Sequence, residues 1–93
     1  MLKKRVEEIL NEQLNREFYS AYLYLSMSAY FDSTDLPGFA HHMKVQYQEE
    51  MAHAIRIFNY LSNVGGRVEL KAIAQPKNVW NGIIEVFEEP HKH

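Results

Sequence analysis

The sequence predicts an all-α chain, two long helices folded into an antiparallel hairpin, which is half of a four-helix bundle and is completed by dimerisation. Three observations predict it. Apolar residues recur at three- and four-residue steps in two long stretches. One short break separates the stretches, which favours antiparallel neighbours. The first stretch is apolar on more faces than one partner helix can cover.

The first helix is expected over about 2–31. Its stripe is Leu2, Val6, Ile9, Leu10, Leu14, Ala21, Leu25 and Ser28. The turn formers Asp32, Ser33, Thr34 and Asp35 end it, and Pro37 and Gly38 complete the break. The second helix is expected over about 38–64, on a stripe of Phe39, Met43, Tyr47, Ala54, Ile57 and Leu61, with Gly65 as the left-handed residue that closes it. At about 1.5 Å per residue each arm is roughly 40 Å long. Residues 66–80 carry no helical period, and 68–73 alternates weakly, so this part reads as an extended crossover. Asn81 is placed to cap a short helix or tail over 81–93, which Pro90 would end or kink. Phe18, Tyr19, Tyr22, Leu23, Tyr24, Leu25, Tyr30 and Phe31 point in nearly all directions from the first helix. That surface needs a further partner, most simply a second copy of the chain.

Bulk properties narrow the function. The 93 residues make one small domain with 46% hydrophobic and 24% charged residues, the balance of a globular protein. Small chains commonly need a disulfide, a metal or a partner subunit. There is no cysteine, so metal and self-association remain. The net charge is -2, and the densest basic cluster is Lys3, Lys4 and Arg5 at one end, so no nucleic-acid partner is expected. The apolar run at 18–31 is too short to span a membrane and is broken by serines. No apolar signal core follows the basic N-terminus, so a cytoplasmic location is expected.

Two anomalies carry chemistry. Glu17 lies on the apolar seam of the first helix, among Leu10, Leu14, Ala21 and Tyr24. A glutamate there either snorkels to water, pairs with a lysine, or binds a metal. Glu50 and His53 are three residues apart and share the Tyr47, Ala54 and Ile57 face of the second helix. A carboxylate and an imidazole projecting inward from one turn form a metal half-site. Glu-x-x-His with a lone glutamate from the partner helix is the known ligand pattern of carboxylate-bridged di-iron bundles. The pair alone also arises by accident. In an antiparallel hairpin, Glu17 and the Glu50–His53 turn lie at similar heights above the bend.

Other residues have blander readings. Glu49 points about 100° away from Glu50 and reads as a solvated residue. Tyr24 is either a core aromatic or a hydrogen-bond neighbour of the site. His41 and His42 read as surface residues, His91 and His93 as a tail, and Met51 as a core or interface methionine.

The run Asn11-Glu-Gln-Leu-Asn-Arg-Glu-Phe-Tyr-Ser-Ala-Tyr-Leu-Tyr-Leu-Ser-Met27, continuing to Asp32, resembles the first helix of the bacterial and archaeal non-haem ferritins. Leu36-Pro-Gly-Phe-Ala40 resembles their turn into the second helix, and Gln48-Glu-Glu-Met-Ala-His-Ala54 their metal motif. Gly65-Gly-Arg-Val-Glu-Leu-Lys-Ala-Ile73 resembles the start of their long crossover. The likeness runs from about residue 6 to 87, as the N-terminal half of a ferritin subunit.

The resemblance implies a ferroxidase centre that oxidises iron(II) with dioxygen or peroxide, in iron storage and detoxification. It implies that Glu17, Glu50 and His53 bind iron and take part in its oxidation, with Glu50 as the bridging ligand. Tyr24 falls beside the centre, and Glu49 matches a residue used by some members for an accessory iron. Met51 falls where bacterioferritins place a haem methionine, but the rest of the first helix resembles the non-haem members, and haem is not expected. The third and fourth helices of the family are absent from the sequence. Two hairpins are therefore expected to associate antiparallel as a homodimer or larger homo-oligomer and share one di-iron centre. Two alternatives stand: an oligomeric helical scaffold or truncated ferritin without productive iron chemistry, and a peroxide-reducing enzyme of the rubrerythrin type, which lacks here the cysteine iron site that usually feeds it electrons.

Overall fold

The computed structural model describes residues 2–89. Its elements are α1 (Lys4–Ser33), α2 (Pro37–Asn63) and a short α3 (Ile83–Glu88). Helices α1 and α2 pack together as the antiparallel hairpin, and no strand forms among the described residues. Compared with the expected bounds, α1 starts and ends two residues later, and α2 starts and ends one residue earlier.

Both long helices end in the same way. After α2, Gly65 takes φ 78°, the Gly65 N–H donates to Ser62 O, and the Gly66 N–H donates to Leu61 O at 2.8 Å. This is a Schellman cap, with glycine in the left-handed position as expected. After α1, Asp35 takes φ 59° in that position, and the Leu36 N–H donates to Phe31 O at 2.8 Å. The hairpin bend is thus made by residues 34–36. Pro37 opens α2, where its missing N–H leaves no bond unmade, and Gly38 lies inside the first turn rather than in the break.

Small residues bring the helices close. Ala21, Ser28, Ala40 and Ala54 are buried along the seam. The Ser28 hydroxyl donates to Ala40 O at 2.8 Å, which satisfies a hydroxyl that is otherwise costly to bury. Two core clusters flank the middle of the hairpin. One gathers Leu23, Met27, Phe31, Ala40 and Met43 with Trp80 and Val86. The other gathers Leu14, Ala54 and Leu61, with Leu10, Phe18, Ile57 and Val68 against them.

The crossover lies along α1. The Asn11 side chain donates to Arg67 O (2.9 Å) and accepts from the Glu69 N–H (2.8 Å). One turn on, Asn15 donates to Glu69 O (2.9 Å) and accepts from the Lys71 N–H (2.8 Å). Glu7 accepts from the Arg67 N–H. Three side chains at four-residue spacing thus act as a surrogate strand, which holds 67–71 extended. Farther along, Ser26 donates to Lys77 O, and Tyr30 donates to Trp80 O. Trp80 packs edge-on against Tyr30 and ties α3 to α1.

Three expectations change. Asn81 does not cap α3: Gly82 stands at the N-cap, and the Asn81 amide donates to the Glu85 carboxylate at 3.3 Å. Val6 and Ile9 are exposed rather than core, because the α1–α2 seam at that end is filled by Leu10, Leu14 and Leu61. Leu2 precedes α1. Of the short helix or tail expected over 81–93, the part at 90–93, with His91 and His93, lies outside the described residues.

Candidate metal centre

Midway along the hairpin, between the two core clusters, one ligand atom from each of Glu17, Glu50 and His53 lies within 4.8 Å of the others. The backbone explains the meeting. Glu17 follows Leu14 by one turn of α1, so it shares that buried seam. Glu50 and His53 are one turn of α2 apart, and His53 adjoins the buried Ala54. Gln13, one turn before Glu17, donates to Glu17 Oε1 at 2.7 Å and orients that carboxylate. Gln13 was missed in the sequence. Its signal was a glutamine four residues before a seam glutamate.

The cluster is open on one side. The Glu50 side chain is 21% exposed and that of His53 is 47% exposed, with His53 Nδ1 3.8 Å from Glu50 Oε1. The face expected to be core is therefore a rim that this hairpin does not cover by itself.

The electrostatics are those of two carboxylates beside one imidazole. Burial raises the Glu50 pKa to about 7, helped by a hydrogen bond to Glu17 and by the charges of Glu17 and Glu49. The hydrogen bond to Glu17 favours the protonated form of Glu50, whereas a bound cation would favour the ionised form. Burial, then the Glu50 and Glu49 charges, raises the Tyr24 pKa. Tyr24 is half-buried beside the acids, and Glu49 is exposed and outside the three-residue group. Met51 is half-buried, and His41 and His42 are exposed at the far end of α2. The His42 ring lies 6.2 Å from that of Phe87.

Two carboxylates and one imidazole are a donor set suited to iron(II), zinc or manganese. Three donors are too few for a pair of metal ions.

Comparison with known proteins places this geometry. The sequence model of the ferritin-like domain family matches residues 7–93. The bacterial non-heme ferritin of Bacteroides fragilis is 40% identical over 93 residues, which cover all of this chain and 58% of that protein. The bacterial non-heme ferritin of Staphylococcus aureus is 37% identical over 89 residues, 96% of this chain and 54% of that one. Among solved structures, the open pore ferritin of the archaeon Archaeoglobus fulgidus superposes with a TM-score of 0.94 at 46% identity, over 99% of this chain and 56% of that one. A humanized archaeal ferritin superposes at 0.95, with 44% identity over 99% of this chain and 56% of its own. The chain spans about half the length of the curated relatives it matches. Over nearly all of its length the chain shares the sequence and the fold of these proteins, and it belongs to the ferritin-like domain family.

Proposed function

We propose that this protein binds iron(II) at Glu17, Glu50 and His53 and oxidises it to iron(III) at a di-iron ferroxidase centre shared between two chains, in iron storage and detoxification. The observation that supports this is the convergence of the three side chains on one open rim between two packed cores.

Iron is the substrate here. Its binding at the acid pair would displace the Glu50 proton; Glu17 and His53 would hold the ion, with Glu50 placed to bridge to a second one. Gln13 fixes Glu17 for this role. A second copy laid antiparallel on the open rim supplies the same three groups. The shared site then has four carboxylates and two imidazoles, the ligand set of a complete di-iron centre. Two iron(II) ions give up one electron each, and dioxygen takes both electrons with two protons to become hydrogen peroxide. Tyr24 stays protonated beside the acids and offers a hydrogen bond to one of them. Glu49, exposed next to the cluster, is an accessory iron ligand on the way in. No haem takes part.

Aerobic iron(II) oxidation, followed by absorbance on protein whose mass is fixed by light scattering, tests the reading. About two irons oxidised per pair of chains, with the burst lost in Glu50→Ala, is the expected result. Glu17→Ala should lower the number of irons bound per pair, and an unchanged stoichiometry would refute the shared centre. Oxidation no faster than in buffer, from a well-folded oligomer, would leave a helical scaffold with ferritin ancestry.

A further inference from the structure

The entry to α3 combines three features that occur together nowhere else among the described residues. Asn81 is exposed and lies outside any helix. It is the only asparagine of the chain that a glycine follows. The Gly82 N–H donates to no group among the described residues. Gly82 itself stands at φ 115°, and a Cβ built there would meet nothing within 4 Å, so the space around its nitrogen is open. The Asn81 amide is held only by the Glu85 carboxylate, at 3.3 Å, which is long for an amide donor.

We propose that Asn81 is a self-modifying residue: in the folded protein its side chain closes on the Gly82 nitrogen and hydrolyses, and the carboxylate so formed releases the first turn of α3. The Gly82 nitrogen attacks Cγ of Asn81. The N–Cγ bond forms, the Cγ–Nδ2 bond breaks, and the side-chain nitrogen leaves as ammonia with the proton of the Gly82 amide. Water then opens the succinimide. Cleavage of N–Cγ gives aspartate, and cleavage of N–C gives isoaspartate, whose main chain runs through Cβ. Nothing is oxidised or reduced.

The other asparagines are protected. Asn11, Asn15, Asn59 and Asn63 lie in α1 and α2, where the next N–H is committed to the helix. Asn78 is exposed and outside a helix, but the branched Cβ of Val79 crowds the attack, where Gly82 has none.

The consequence follows from what Asn81 touches. The Lys77 bond first, and the Asn81 bonds after it, hold the Glu85 carboxyl below its ordinary pKa, so Asn81 faces an ionised group. Lys77 already serves Glu85 at 2.8 Å and Glu89 at 4.0 Å. Conversion replaces a donor to Glu85 by a second acid four residues before it, which is unfavourable on a helix. Isoaspartate also lengthens the main chain between Trp80, which packs on Tyr30, and α3.

Ageing the intact, folded protein in neutral buffer, with peptide mass spectrometry at intervals, tests the chemistry. Asn81 should convert at least about tenfold faster than Asn78, because only Gly82 offers an uncrowded nitrogen. Isoaspartate at 81 identifies the ring, since direct hydrolysis of the amide gives aspartate alone. Conversion no faster than at Asn78, or aspartate without isoaspartate, would overturn the proposal. Hydrogen exchange at the amides of 84–88 tests the consequence. It should be at least about twofold faster in the converted protein, the size of a like-charge pair one turn apart. Asn81→Gln, aged in parallel, keeps an amide and should show neither change. Equal exchange before and after full conversion would overturn the release of α3, as would the same acceleration in aged Asn81→Gln.

Discussion

At the scale of single residues, two positions hold conformations or charges that the rest of the chain must support. Asp35 sits in the left-handed region, which aspartate tolerates better than most residues but at a cost glycine does not have. Asp35→Gly should therefore raise stability by up to about 1 kcal/mol, as measured by chemical denaturation. Glu50 is the second such residue. Its folded pKa, about 7, lies above the ordinary 4.5, so the folded state binds its proton more tightly than the unfolded chain does. The metal-free protein should be most stable on this account below about pH 4.5 and lose that contribution as pH rises through 7. Glu50→Gln removes the ionisation while keeping the shape. Its melting temperature should exceed that of the parent above pH 7, and the gap should close in acid. A constant gap at every pH would assign the difference to packing. Iron binding should show the reverse trend and tighten as the proton becomes easier to displace.

At the scale of elements, the crossover depends on side chains rather than on a neighbouring strand. Asn11 is buried and bonded to backbone groups on both sides of the contact. Asn11→Leu should destabilise the protein by about 1–3 kcal/mol, because it leaves the Glu69 N–H and Arg67 C=O without their partner. Asn15 is only partly buried, so Asn15→Ala should have a smaller effect, about 1 kcal/mol. Hydrogen exchange at the Glu69 and Lys71 amides should speed up in the respective variants while the α2 amides stay protected. The asparagine spacing was visible in the sequence, but its purpose was not. Side chains that bond to backbone more than 50 positions away leave no periodic trace.

At the scale of the whole molecule, slenderness decides which surfaces stay open. The chain measures 50 × 20 × 19 Å, about two helix diameters thick, so few side chains can be covered on every side. The best-enclosed region is the end where Trp80 and Val86 close over Leu23, Met27 and Phe31. Trp80→Ala should destabilise by about 3–5 kcal/mol, since it leaves a large cavity and frees α3. Loss of the cooperative thermal transition would show it. The metal rim and residues 69–75 of the crossover stay exposed on so thin a body.

The sequence by itself determined the hairpin and the three candidate ligands. Apolar period marks a helix, and turn formers mark its ends. A three-residue spacing puts Glu50 and His53 on one face whatever the tertiary context, and a glutamate among Leu10, Leu14 and Ala21 is conspicuous in any helix. These are local properties, written at separations of three and four residues. The tertiary structure decided the rest. It showed that Val6 and Ile9 face outward, that Gln13 orients Glu17, that Gly82 rather than Asn81 starts α3, and that the acid pair sits at an open rim. Each of these depends on which face of a helix meets which neighbour. That is set by side-chain volumes across the seam and by hydrogen bonds between distant segments, and neither follows from the spacing of residues along one element.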